Sequence, residues 1–422
     1  MNKSASLAFL GYLALLSMLG FIATDMYLPA FKAIEISLDT TSANVASTLT
    51  YFLAGLAIGQ LLYGPLVLCW GKRNSLIFGL SMFAVASFIV ALSDNIVMFN
   101  VGRFFQAIGA CSASVIWQAI VIDKYDAKSA QKVFSNIMPL VALSPALAPI
   151  LGAYLLEHSD WQTIFAVLTL LAGMLIIVTY LWVEPKPAIK ASNNHTDVNT
   201  KPNQVSYFTM LKNPQYMGNV VIFGGCSAAF FSYLTLWPIV MQQHGYESTQ
   251  IGLSFIPQTI MFILGGYFSK IWIKQRGVEQ SLTLILSVFS LCIAAIATST
   301  LILGSETIWP MLILFSILAA ANGACYPIVV NSALQVFKQA SAKAAGLQNF
   351  IQISMAFGAS SIVAFWALGG KATISIAMLI CAVIVLVATR VRKLSDWNSA
   401  KIHLQQPDPA RISIHCDDGG TK

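Results

Sequence analysis

Two charged residues in this chain sit where a charge is costly, and one of them, a carboxyl, has the chemistry to take up and release a proton. Asp25 lies near the end of the apolar segment that begins at about Leu7, in the run Gly20-Phe21-Ile22-Ala23-Thr24-Asp25-Met26-Tyr27-Leu28-Pro29. Arg103 opens the run Arg103-Phe104-Phe105-Gln106-Ala107-Ile108-Gly109. These are the two charged residues that fall well inside hydrophobic segments. A charge at bilayer depth costs about 2.5–3.5 kcal/mol on insertion scales, so such residues are kept for a task. A buried carboxyl near a guanidinium is either a static ion pair or a group whose proton comes and goes with its cavity. Function is expected to turn on this pair.

The elements that place the pair are membrane helices. Of 422 residues, 57% are hydrophobic and 10% charged, and the mean hydropathy is +0.73. A soluble domain carries about 25% charged residues, so this chain belongs in a bilayer. A spanning helix needs about 20 apolar residues. Breaks at charges, Gly and Pro divide the chain into twelve spans: 7–29, 43–67, 74–93, 97–122, 132–156, 163–183, 215–241, 249–273, 281–303, 308–336, 343–369 and 372–390. Unpaired backbone groups are not tolerated in lipid, so the spans are expected to be helical. The expected fold is an all-α integral membrane protein with a six-helix bundle over 1–183, a flexible cytoplasmic linker over 184–214, a second bundle over 215–392 and a polar, partly disordered tail over 393–422.

Basic residues set the orientation. With both termini cytoplasmic, 21 of the 24 Lys and Arg residues lie inside, Lys32 and Lys371 lie outside, and Arg103 lies within a span. Asp25 is then roughly 6 Å below the outer end of its span and Arg103 about 9 Å deep from the same side. The first span is too long, and lacks the small-residue stop, for a cleaved leader. The net charge of +7 comes from scattered residues with no aromatic-interleaved basic stripe, so nucleic acid is not an expected partner. The seven cysteines form no CxxC pair, and the five histidines fall in loops or tails. Neither a metal nor a cofactor is expected. The spans hold no Ser-His pair, so the chain is not read as an enzyme. ATP drive is not expected within it, since no GxxxxGK[ST] loop is present.

Other polar and aromatic residues within spans are candidate substrate contacts. In the first half they are Tyr27, Gln106, Trp117, Gln118 and Met138. In the second they are Tyr233, Trp237, Gln258, Asn322, Tyr326, Gln348 and Gln352, with Asn349 beside them. Each has a plainer reading as packing or as polar glue between helices. Aromatic faces with amides suit a planar, hydrogen-bonding, mostly uncharged ligand. Pro139, Pro145 and Pro149 in one span imply kinks that shape a cavity. Weak echoes between halves, such as Gly59 with Gly64 against Gly265-Gly266, suggest a repeat with a midplane site.

Taken together, Thr24-Asp25-Met26-Tyr27-Leu28-Pro29-Ala30, the Arg103–Gly109 block and Ser144-Pro145-Ala146-Leu147-Ala148-Pro149-Ile150-Leu151-Gly152 resemble the major facilitator superfamily over about residues 5–392. The resemblance is strongest to Bcr/CflA-type proton-coupled drug antiporters. Within these, Ile116-Trp117-Gln118-Ala119, Ile256-Pro257-Gln258-Thr259 and Ala321-Asn322-Gly323-Ala324-Cys325-Tyr326-Pro327 are similar to the purine-nucleoside branch. The resemblance implies that Asp25 responds to protons with Arg103 as its partner, and that Pro145, Pro149 and Gly152 form the antiporter motif. It also implies a cytoplasmic gate at Gly64, Gly71, Arg73 and Asp123. Here the chain departs from the family pattern Gly-x-Leu-x-Asp-Arg-x-Gly-Arg-Lys. Leu68 replaces the acid and Cys69 the first arginine, so the gate's common charge network cannot form. Asp123 is left to pair with Lys72 or Arg73.

The expectation is a monomeric, multi-pass transporter in a bacterial inner membrane. It would use protons to move small organic molecules, purine nucleosides first and drugs in a broad-specificity efflux alternative. A channel or receptor fits the kinked repeat and lone charge pair less well.

Overall fold

A computed structural model describes residues 7–185, 205–246, 248–304, 306–366 and 369–405. Most of the linker (186–204), the end of the tail (406–422) and Lys3 lie outside the described residues. Apolar segments with no other way to pair their backbone form helices. In order these are α1 (Leu7–Asp25), α2 (Phe31–Ser37), α3 (Ser42–Ala91), α4 (Ile96–Lys124), α5 (Ala127–His158) and α6 (Gln162–Trp182). They are followed by α7 (Tyr207–Lys212), α8 (Pro214–Gln243), α9 (Ser248–Ser254), α10 (Ile256–Ala297), α11 (Trp309–Val336), α12 (Ser341–Phe365) and α13 (Gly370–Gln405).

Helix starts follow local chemistry. Asn95 accepts from Met98 N at 2.9 Å to open α4, and Asn213 accepts from Tyr216 N at 2.8 Å to open α8. Asp126 caps α5, and its hydrogen bond with Ser129 holds its carboxyl below the usual carboxylate range. The first span does not run to Pro29 as one helix. α1 ends at Asp25, a 3₁₀ turn covers Leu28–Ala30, and α2 follows. Pro29 has no N–H to continue the ladder.

Eight helical stretches among the described residues are long and apolar enough to cross a membrane. Two of them, Ser47–Ala91 and Ile256–Ile302, have 45 and 47 residues, about twice what a single crossing needs. Each is broken at a left-handed glycine, Gly71 at φ 76° and Gly277 at φ 77°. The helices α5 and α12 are more polar, and both lie on the seam described below.

Helices α1 to α6 pack on one another, and so do α8 to α13. Between the two groups, α3, α4 and α5 meet α10, α11 and α12. α4 is central, with 83% of its apolar window buried, whereas α6 is peripheral at 33%. Leu170, Ile177, Phe88 and Leu291 are exposed, as lipid-facing residues should be. Helix contacts rest on small residues. Gly55 and Gly59 of α3 meet α4, while Gly265 and Gly323 bring α10 and α11 together backbone to backbone. α13 runs on past the expected end at Arg390 to Gln405, and the linker's last residues fold as α7.

α5 keeps its three prolines within one helix. The side chain of Pro145 lies outside the described residues, Pro149 is half-buried, and Gly152 is buried. A Cβ at Gly152 would fall on the Met26 carbonyl, where the chain leaves α1. Gly152→Ala should therefore lower stability by about 1–3 kcal/mol, whereas Gly173→Ala, with open space around it, should not. Thermal unfolding of the purified variants checks this.

Candidate functional site

A helix that stops leaves its last carbonyls without intrahelical donors. α1 stops at Asp25, and Arg103 Nη1 donates to the Ala23 carbonyl at 2.9 Å. The same nitrogen donates to Gln106 Oε1 at 2.6 Å, and Gln106 Nε2 donates to Ser87 Oγ at 2.7 Å. Three residues separate Arg103 from Gln106, which puts them on one face of α4. The guanidinium carbon lies 4.1 Å from the Tyr27 ring centre and 4.2 Å from that of Phe52, in cation–π contact with both. The Tyr27 hydroxyl is tied to Thr48 Oγ1 at 2.9 Å. Arg103 is fully buried, and its Nε and Nη2 have no hydrogen-bond partner.

Asp25 is half-buried. No ion pair joins it to Arg103. The static ion pair open at the sequence level does not form, because the guanidinium is engaged by a carbonyl, an amide and two rings. Gln106 and Tyr27, both expected to face a substrate, touch Arg103, one through its amide oxygen and the other through its ring.

In the second half, Tyr233 stacks on Trp237 at 4.7 Å and on Phe315 at 3.5 Å between centroids. Gln258 Nε2 donates to the Tyr233 hydroxyl at 3.0 Å, and Trp237 Nε1 donates to Ser254 Oγ at 2.8 Å. This brings three of the expected contacts into one cluster. Tyr326 accepts from Ser227 at 3.2 Å and lies edge-on to Phe223 and Phe262. Asn322 donates to the Cys226 carbonyl at 3.5 Å. The oxygens of Gln258, Asn322 and Gln118 are buried and unpartnered, as are both amide atoms of Gln348. Such groups call for water or a ligand. Trp117 packs on Phe134 of α5 at 5.2 Å, Met138 is buried and Gln352 is half-buried. These three are not joined to either cluster by a described hydrogen bond.

The ends of the helices that carry the basic loops meet across the seam. Lys72 pairs with Asp123 and also donates to the Ala119 carbonyl at 2.9 Å. Ser341 of α12 donates to Asp123 at 3.4 Å. Arg73 turns away and lies over the Tyr180 ring at 4.0 Å, so Lys72 alone takes the acid. Gly71 supplies the left-handed break just before it. At Gly64 a Cβ would meet Lys343 Cα at 2.7 Å, so only glycine lets α3 and α12 touch there. Deeper in the seam, Gln118 Nε2 donates to Asn349 Oδ1 at 3.2 Å, and Asn349 Nδ2 donates to Gln60 Oε1 at 3.3 Å.

Several of these residues escape a reading of the sequence. Gln60 and Ser87 sit singly in apolar runs, Thr48 and Ser114 lie near other hydroxyl residues, and Phe52 is one aromatic among many, so all look like ordinary packing. Arg392 corrects the expectation that the second half buries no charge. It is 2% exposed, paired with Glu279 and bonded to Asn219 at 3.3 Å. Its signal was its place just past an apolar run, on a helix that continues.

Comparison with known proteins agrees with this architecture. The family profile described as Major Facilitator Superfamily matches residues 13–360. A Bacillus subtilis protein, the uncharacterized MFS-type transporter YdgK, is 33% identical over 253 residues, covering 59% of this chain and 61% of its own length. The bicyclomycin resistance protein homolog of Haemophilus influenzae is 26% identical over 389 residues, covering 92% and 96%. The multidrug resistance protein MdtL of Escherichia coli O81 is 27% identical over 225 residues, 53% of this chain and 56% of its own. The chain thus spans less than two thirds of the length of the Bacillus and Escherichia proteins. A crystal structure of FucP in the outward conformation superposes with a TM-score of 0.70 at 15% identity, over 91% of this chain and 98% of that one. The long apolar helices, the seam between two helix groups and the family match lead to one conclusion: this chain belongs to the Major Facilitator Superfamily and is a multi-pass membrane transporter.

Proposed function

We propose that this protein is a proton-coupled exporter of small organic compounds, of the drug-resistance kind, working in a bacterial inner membrane. The observation that carries the coupling is Asp25. It is a half-buried carboxyl at the broken end of α1, two residues past the carbonyl that the buried Arg103 holds, and not tied to Arg103. A carboxyl tied in an ion pair would stay ionised. A free one changes charge as its surroundings close or wet. A protonated or cationic substrate and a proton then compete for the same negative site, which is the logic of exchange. Export is supported by the near full-length likeness to a bicyclomycin resistance homolog, and by MdtL over about half the chain.

The rest of the reading follows from the fold. Splitting the two long helices at Gly71 and Gly277, and counting α5 and α12, supports twelve crossings with both termini on one side, and the basic loops argue that this side is the cytoplasm. The basic end of the seam is then the cytoplasmic gate. Contacts bridge it from both helix groups, which supports reading this state as the one that faces the outside. Rocking of the two helix groups would carry a site lined by Asp25, Tyr233, Trp237, Gln258, Asn322 and Tyr326 from one face to the other. The protein acts as a monomer and needs no cofactor. Purine nucleosides remain the second reading, supported by the Tyr233–Trp237–Gln258 cluster, where flat rings lie beside an amide.

Proteoliposomes under an imposed pH gradient test both. A lipophilic cation, bicyclomycin, adenosine and guanosine form the panel. Drug flux above nucleoside flux is expected, and the reverse order overturns the export assignment. Asp25→Asn should abolish pH-driven accumulation while leaving substrate counterflow. Full accumulation in that variant would show that coupling lies elsewhere. Arg103→Lys keeps the charge but cannot fill the space between two rings, and should cut transport about tenfold. A flux equal to wild type would remove Arg103 from the machinery.

A further inference from the structure

Hydrogen bonds cross the seam at its basic end. Among the described residues these join Gln118, Gln60 and Ser114 to Asn349, Asp123 to Ser341, Ala127 to Asn331, Asn136 to Lys270 and Leu61 to Tyr207. They differ in depth. Asp123, Lys72 and Lys270 are at the rim, where Lys72 and Asp123 keep 18% and 34% of their side chains exposed. Asn349 lies about 12 Å up α12 from its start at Ser341, and is 8% exposed.

Every hydrogen bond described for the Asn349 side chain crosses the seam. Its Oδ1 accepts from Gln118 Nε2 at 3.2 Å. Its Nδ2 donates to Gln60 Oε1 at 3.3 Å and reaches the Ser114 carbonyl at 3.5 Å. On the far side, Gln60 Nε2 donates to Ser114 Oγ at 3.1 Å, and Gln118 Nε2 also reaches the Ser114 carbonyl at 3.3 Å. One turn before Asn349, Gly346 lies so close that a Cβ would fall on the Gln60 carbonyl. The backbone contact therefore sets the register in which the amides meet.

We propose that Asn349 is the pin of an uncharged latch, with Gln60, Ser114 and Gln118 as its keeper, that holds the two helix groups together at their basic end. The inference rests on the carrier reading, in which that end must open. Separating the groups strips Asn349 of its described partners and takes one partner each from Gln60 and Gln118 at bilayer depth, which is unfavourable until water follows. The latch accordingly has two states, dry and shut or wet and open. The rim pair Lys72–Asp123 lies within the first helix group and meets the second through Ser341. A partly exposed ion pair is screened by salt and is worth little. The position that is acidic in the family pattern is Leu68 here, so a charged gate has few members left. Asn349 acts as a positioning residue, because it works through the seam and not on the cargo.

Spin labels at Lys128→Cys and Gln339→Cys, on a cysteine-free background in lipid nanodiscs, report the seam directly. Both parent residues are exposed, and they flank the Asn331–Ala127 contact. Wild type should give mainly the short distance. Asn349→Ala should raise the long-distance population about tenfold, and Gln60→Leu, made on the opposite group, should do the same. Lys72→Ala should raise it less than about threefold. Raising the salt concentration should leave the wild-type distribution unchanged. Unchanged distances in both amide variants, or a larger effect of Lys72→Ala than of Asn349→Ala, would overturn the latch. Should Asn349→Ala fail to fold, Gln60→Leu and Gln118→Leu decide the matter from the other side. Normal wild-type flux with unmoved distances would sink the latch alone. Moved distances in a protein that transports nothing would sink the carrier reading and leave the latch standing.

Discussion

The interaction on which the rest depends is the hydrogen bond from Arg103 to the carbonyl of Ala23. A helix cannot simply end within a membrane, because its last carbonyls have no water to turn to. α1 ends there because a cation from α4 reaches across and accepts the task. A positive group is also what the negative end of a helix dipole favours. Everything near Arg103 follows from keeping it in place. Gln106 and Ser87 hold one edge, and Tyr27 and Phe52 lie against its faces. Once Arg103 is so engaged, Asp25 is left without a fixed partner. A carboxyl in that position can change its charge.

The two helix groups divide the labour. The first holds the charges at the broken helix. The second holds rings and amides, with Tyr233 between Trp237 and Phe315 and its hydroxyl accepting from Gln258. The side-chain oxygens of Gln258 and Asn322 are buried there without a described hydrogen-bond partner. The seam joins the halves through neutral side chains at depth and charged ones only at the rim.

Much of this was legible in the sequence, and what was not has physical reasons. Asp25 and Arg103 stood out because a charge in an apolar run is costly wherever it points. Their shared depth followed from orientation and helix rise. Their geometry did not, since the competing acceptor was a backbone carbonyl, and every residue has one. Tyr233, Trp237 and Gln258 could be singled out by type, but their meeting depends on how α8 crosses α10. Gln60 and Ser114 gave no sign, because a polar residue in an apolar helix looks the same whether it bonds its own chain or crosses a seam. Arg392 was missed because hydropathy ended the last span before it, whereas the helix continued.

Gly71 and Gly277 carry one further meaning. Their backbone angles agree within a few degrees, φ 76° and ψ 167° against φ 77° and ψ 172°, and they are 206 residues apart, as are Gly59 and Gly265. Such agreement at a conformation that other residues avoid reads as inheritance from one ancestral unit, copied once. The copies have since diverged in content while keeping their punctuation. After duplication, one copy was free to acquire a buried charge beside a broken helix and the other stacked rings beside amides. A single unit would have had to hold both with the same side chains.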